Sequence, residues 1–195
     1  MNLTNNIKIE PIIKSSSDGR AVKILRPQEY ELLVQAIPKA EYKTKFDALL
    51  FSGMRYSEAK RLYKNQKLFD GNAIRMKSTK KRAKQKERYI HLNREGRTAI
   101  RYFLRGNENL PKYSTWVENL ERWCKYAGID PEYMSVKTTR KTWESWLIAT
   151  MPEKIFQICL SQGHDELTSL RHYANLPFTK DEKEHIKKFT EGWGD

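Results

Sequence analysis

Four short segments hold side chains that could act on a phosphate ester. Arg55 stands in Ser52-Gly53-Met54-Arg55-Tyr56-Ser57-Glu58, just after a glycine and three residues before an acid that can hold its guanidinium. Lys80 lies in Ser78-Thr79-Lys80-Lys81-Arg82. Lys137 and Arg140 share Lys137-Thr138-Thr139-Arg140-Lys141-Thr142 and fall one helical turn apart on the same face. His164 closes Leu160-Ser161-Gln162-Gly163-His164, and Tyr173 follows nine positions later. Two neighbouring cations can grip one phosphate, and arginine offers a planar fork to two oxygens at once. Taken singly, each has an ordinary reading: a surface Arg–Glu pair, a solvated basic face, a structural histidine, a core tyrosine beside Leu167 and Leu170.

The remaining composition limits what these groups can serve. The chain has 195 residues and a formal net charge of +13, a surplus that suits a polyanionic partner, nucleic acid before an acidic membrane face. The surplus is concentrated. Arg75–Arg88 holds eight basic residues against the single acid Glu87, whereas the last sixteen residues carry four basic and five acidic side chains. With 38% hydrophobic residues the chain can bury a core. No apolar run approaches a membrane span and no charged-then-apolar leader opens the sequence, which points to the cytoplasm. Cys124 and Cys159 alone build neither a disulfide framework nor a zinc site.

The elements that must position these residues are mostly helical. Residues 1–25 read as a flexible lead-in, with no sustained period and an Asn- and Ser-rich composition. Helices are expected from Pro27 to Ile37, Tyr42–Ser52, and Ser57–Lys64 with Ser57 as N-cap. More follow at Arg94–Arg105, Ser114–Ala127, Lys137–Ala149, Pro152–Leu160, Asp165–Ala174 and Lys180–Lys188. Asn72–Lys77 and Arg88–Leu92 alternate as strands around the basic run and predict a hairpin with a long cationic tip. The expected class is mainly α with a small antiparallel β-sheet (α+β). Tyr89, Tyr102, Trp116, Trp123, Trp143 and Trp146 have apolar helical neighbours and are expected in the core rather than as base-stacking platforms.

In order along the chain stand Gly53-x-Arg55-x-Ser57-Glu58, a hairpin lysine, Lys137-x-x-Arg140, then Gly163-His164 and Tyr173 nine residues on. That series resembles the active-site signature of tyrosine recombinases, the family of phage-type integrases and chromosome-dimer resolvases, from about Pro27 to Tyr173. The resemblance implies a catalytic domain over residues 26–179 and a helical tail over 180–195. It implies that Arg55 and Arg140 clamp the scissile phosphate, that His164 is a third phosphate contact, and that Tyr173 is the nucleophile. The lysine that protonates the leaving 5′-oxygen aligns with Lys80, with Lys81, Lys77 and Lys84 as competitors. Lys77, Lys81, Arg82, Lys84, Lys86 and Arg88 are expected to bind DNA phosphates.

Two departures shape the expectation. Lys137 stands where the usual recombinase has histidine, as in type IB topoisomerases and some archaeal virus integrases, which the Thr79-Lys80-Lys81-Arg82 run also resembles. As a protonated amine it is expected to act as an electrostatic clamp rather than a base. The family also carries a separate helical clamp domain of roughly a hundred residues ahead of the catalytic one; only some 26 residues precede the first helix here, so the chain is either an excised catalytic domain or a minimal enzyme. Arginines stand where a metal-dependent nuclease would hold Mg²⁺, and no carboxylate cluster is evident, so no metal, no ATP and no other cofactor is expected. The implied partners are double-stranded DNA at attachment sites and three further copies of the chain in a tetramer. Alternative readings are a type IB topoisomerase and a non-catalytic basic DNA-binding module.

Overall fold

The computed structural model describes residues 11–15, 19–77, 87–163 and 176–194. Strands β1 (Ile12–Ser15) and β2 (Ala21–Ile24) form an antiparallel pair with Ile12 opposite Ile24. Helices α1 (Pro27–Ala36), α2 (Ala40–Ser52) and α3 (Tyr56–Lys64) follow, then a second antiparallel pair, β3 (Ala73–Lys77) and β4 (Glu87–His91). The chain continues through α4 (Arg94–Arg105), α5 (Tyr113–Tyr126), α6 (Thr138–Thr150), a 3₁₀ turn at Pro152–Lys154, α7 (Ile155–Gln162) and α8 (Lys180–Thr190). The class is mainly helical with small antiparallel sheets. There are two such sheets among the described residues, not the single one expected.

The extra sheet places strands at Ile12–Ser15 and Ala21–Ile24, within the segment read as a lead-in. Ile12, Val22 and Ile24 are buried, and β2 packs on α6. Each strand is only four residues long, too short for a period of two to rise above the surrounding polar sequence. The expected helix over Asp165–Ala174 lies outside the described residues.

The organising element is α6. Ten of its residues, from Thr138 to Ile148, are buried, and it touches α2, β2, α7 and α8. A helix buried on all sides would normally be uniformly apolar. Three of its polar side chains are hydrogen-bonded within the chain: Thr142 Oγ1 accepts from the Leu25 N–H at 2.9 Å, Trp146 Nε1 donates to the Leu25 carbonyl at 3.0 Å, and Ser145 Oγ donates to the Lys141 carbonyl at 2.7 Å. Hydrogen-bonded in this way, the groups avoid most of the cost of burial. Tyr30, Phe51, Trp146 and Phe189 complete the core around it, with ring centroids 5.3–6.3 Å apart in mostly edge-to-face pairs.

The tail packs on its own chain. Thr179 caps α8 by accepting from the Glu182 N–H, Ile186 and Trp193 are fully buried, and Trp193 Nε1 donates to the His91 carbonyl at 3.0 Å. Arg26 reaches across to both Glu182 oxygens at 2.7 and 2.8 Å. Of the aromatics expected inside, all four tryptophans are buried, whereas Tyr89 and Tyr102 are 48% and 60% exposed. Tyr89 lies on the outward face of β4, and Tyr102 falls beside, not on, the Ala99–Ile100–Phe103 stripe that α4 buries.

One half-buried acid carries a pH prediction. Tyr30 Oη donates to Asp47 Oδ1 at 3.0 Å. Burial raises the Asp47 pKa to about 6, against the smaller lowering effects of the Tyr30 bond and the Lys43 charge. A raised carboxyl pKa means that the folded state holds its proton more tightly, so stability is lost as pH rises from the unfolded value through about 6. Asp47→Asn keeps the acceptor for Tyr30 and removes the charge. It should be more stable than the parent by about 1–2 kcal/mol at pH 8, with the gain vanishing at pH 4. Thermal melts at the two pH values read the difference directly.

Candidate functional site

The site is built where α2, α3, α6, α7 and β4 meet. Helix α2 ends at Gly53, which takes a left-handed φ of 60°, and α7 ends at Gly163, with φ 67°. A Cβ at Gly53 would lie 2.6 Å from Gln162 Nε2 and 2.9 Å from Trp143 Cδ1, so close approach as well as φ demands glycine. The two helix ends therefore present their terminal carbonyls to the same place. Arg140, from α6, donates Nη1 to the Gly53 carbonyl at 2.8 Å and Nη2 to the Gln162 carbonyl. A cation at two helix C-termini is favoured by the partial negative charge of both.

Arg55 arrives from the other side, as the N-cap of α3. The expected cap, Ser57, lies inside the helix instead. Glu58 holds Arg55 as its i+3 spacing implied: its Oε2 accepts from the Arg55 backbone N–H at 2.8 Å, and its Oε1 lies 3.0 Å from Nη1. Arg55 Nη2 also approaches the Gly163 carbonyl at 3.5 Å. Arg55 and Arg140 thus contact consecutive carbonyls of one turn, the turn that leads into His164. They differ in access: the Arg55 side chain is 47% exposed, while Arg140 is 6% exposed. Burial first, and then the Arg55 charge, lower the Arg140 pKa to about 10, which leaves it charged at neutral pH.

Arg88 is placed differently from its expected role. It faces inward from β4, 9% exposed, with Nη1 and Nη2 donating to Glu58 Oε1 and Oε2 at 2.8 Å each and Nε donating to the Ser161 carbonyl at 2.8 Å. Its fork is occupied by protein rather than turned toward solvent. The alternation of β4 carried this signal: Arg88 and Ile90 share the buried face, and Glu87, Tyr89 and His91 do not. Burial tends to raise the Glu58 pKa. The Arg88 hydrogen bonds and charge, and then the charges of Arg55 and Arg140, overcome that and bring it to about 2.

Lys137 is the N-cap residue of α6, one turn before Arg140 and half-buried; its charge is among those that lower the pKa of Lys141, after burial and Arg140. Lys77 is exposed at the end of β3 opposite Glu87, and its carbonyl accepts from Arg61 Nη2 at 3.0 Å. Lys80, Lys81, Arg82, Lys84 and Lys86 lie outside the described residues, as do His164 and Tyr173. Among the described residues, no group of three His, Cys, Asp or Glu side chains is placed to hold a metal ion, and no helix is long and apolar enough to cross a membrane.

This architecture is that of tyrosine recombinase catalytic domains. Two structures of the Tn1549 transposon integrase share it, each with a TM-score of 0.61: one in complex with circular intermediate DNA, at 16% identity over 85% of this chain, and a variant in complex with transposon right-end DNA, at 15% identity over 92%. The match covers 66% of each of those integrase chains. No curated protein matches the sequence. A model described as the phage integrase family matches residues 23–180, and the chain belongs to that family.

Proposed function

We propose that the protein is a site-specific DNA recombinase that cleaves and rejoins strands through a 3′-phosphotyrosine intermediate. The observation that carries this reading is the convergence of Arg55 and Arg140 on the carbonyls around Gly163, immediately before His164. In this reading Arg55, the more exposed cation, meets the scissile phosphate directly, and Arg140 supplies fixed positive charge from beneath. Lys137 and His164 add to the field that stabilises the pentacoordinate transition state.

The reaction balances without an external energy source. The Tyr173 oxygen loses its proton and attacks phosphorus, a bond forms from tyrosine to the 3′-phosphate, and the bond to the 5′-oxygen breaks. The hairpin lysine, Lys80 by alignment, gives that oxygen its proton. A 5′-hydroxyl from a second strand later reverses the steps. Phosphodiester energy stays in the protein–DNA bond, so neither ATP nor a metal is required. The net charge of +13 and the lysine-rich tip support double-stranded DNA as the partner, bound with a steep salt dependence. Recombination between two duplexes would engage four copies of the chain in the cytoplasm of the host. An archaeal virus as the genome served is supported by Lys137 and the Thr79-Lys80-Lys81-Arg82 run; the structural neighbours are transposon integrases.

The test is a nicked duplex carrying a candidate attachment site, which traps the covalent intermediate when the short downstream strand diffuses away. Wild type should give a protein–DNA band on a denaturing gel, and Tyr173→Phe should give none. No band from wild type, with salt-sensitive binding intact, would favour the binding-module reading. Lys137 keeps a topoisomerase reading in play, and strand exchange between two duplexes, as against relaxation alone, separates it from recombination.

A further inference from the structure

We propose that Arg88 is a positioning residue that sets the basic hairpin in register with the phosphate-binding arginines, and is not a DNA contact. This rests on the recombinase reading above. The segment 78–86, which carries Lys80 and its competitors, springs from Lys77 on one strand and Glu87 on the other. Each stem is tied to α3 within two residues of that segment. Arg61 Nη2 donates to the Lys77 carbonyl at 3.0 Å on β3. On β4, Arg88 closes a two-bond fork on Glu58.

Arg88 also reaches α7 through the Ser161 carbonyl, and its Cδ packs where a Cβ on Gly163 would stand, 3.0 Å away. One guanidinium therefore joins the hairpin, the carboxylate that holds Arg55, and the turn leading into His164. Its charge is matched by Glu58 and its exposure is 9%, which leaves it little to offer a phosphate. A lysine at this position could match the charge but not the planar fork.

Loss of the tie should act on the proton donor and spare the phosphate clamp. Arg55 keeps its own two bonds to Glu58, through its backbone N–H and its Nη1, when Arg88 is gone. Leaving-group protonation is the step that a displaced hairpin lysine would lose, and positioned acid catalysis contributes typically about 10²–10⁴-fold.

The experiment compares wild type, Arg88→Met and Arg88→Lys on two nicked duplexes of identical sequence. One carries the ordinary 5′-bridging oxygen at the scissile phosphate; in the other that atom is sulfur, which departs as a thiolate and needs no proton. Arg88→Met should cleave the oxygen substrate about 10²-fold more slowly and the sulfur substrate within about tenfold of wild type. Arg88→Lys keeps a charge opposite Glu58 and guards against loss of folding, checked by its melting curve. It should show the same selectivity at about tenfold. DNA affinity and its salt slope should be unchanged in both. Equal slowing on the two substrates, or a salt slope reduced by about one unit, would overturn the inference, the latter by making Arg88 a phosphate contact. Wild type that cleaves neither duplex would overturn the recombinase reading itself and this inference with it.

Discussion

Arg140→Ala is expected to lose both chemistry and structure, and the two losses can be measured apart. Covalent-complex formation on the nicked duplex should fall by about 10²–10³-fold or more, the scale of removing one preorganised charge donor from a developing anion. Stability should fall as well, because the Gly53 and Gln162 carbonyls both lose their donor at buried helix ends. An unsatisfied buried acceptor costs about 1–3 kcal/mol. Arg140→Lys retains a cation without the fork that bridges two carbonyls, so it should recover part of the stability and little of the activity. Single-turnover trapping and thermal melts on the same preparations supply both numbers. A variant that cleaves at the wild-type rate would remove Arg140 from the site.

Glu58→Gln should be the most destabilising single-atom exchange in the described chain. The carboxylate serves two arginines at once, bidentate to buried Arg88 and i+3 to Arg55. Breaking a buried ion pair from one side costs about 3–5 kcal/mol, because the partner charge stays behind, and a chain of this size then melts about 10 °C lower at pH 7. The pH dependence gives an independent check. The Glu58 pKa is depressed from 4.5 to about 2, so its contribution is complete above 4.5 and is lost as pH falls toward 2. At 1.36 kcal/mol per unit that contribution is about 3 kcal/mol. The wild-type protein should therefore lose stability across this acid window, and Glu58→Gln should lose about that much less. Parallel acid limbs in the two proteins would show that the arginines do not depress the Glu58 carboxyl.

Most of the helical frame was legible because its signals are local. Arg94–Arg105 and Tyr113–Tyr126 carry apolar residues at helical spacing between clear start and stop residues, and they fold within a residue of where that pattern places them. The hairpin was legible through alternation on either side of a charge run. The N-terminal strand pair was not, since four-residue strands gain their identity from the helix they pack on. Within the site, Arg55 with Glu58 could be read from spacing, because one helix turn makes the contact. Arg88 could not be read from the charge run that surrounds it; only the parity of β4 distinguishes it from Lys77. Nor does any local pattern announce that Arg140 is buried and Arg55 half-exposed. That difference is fixed by where α2 and α7 end, more than a hundred residues apart in the chain.

The anchoring of Arg140 on backbone carbonyls has a consequence for how this sequence can change over generations. A carbonyl cannot be deleted by a point mutation, so no substitution at Gln162 or along the last turn of α2 directly removes what Arg140 holds. The vulnerability shifts to the two glycines, whose left-handed conformations turn those carbonyls inward and whose missing side chains make room for Gln162 and Arg88. Sequence drift in the flanking helices is thereby uncoupled from the geometry of the cation pair. Heritable constraint falls on Gly53 and Gly163, residues that perform no chemistry at all.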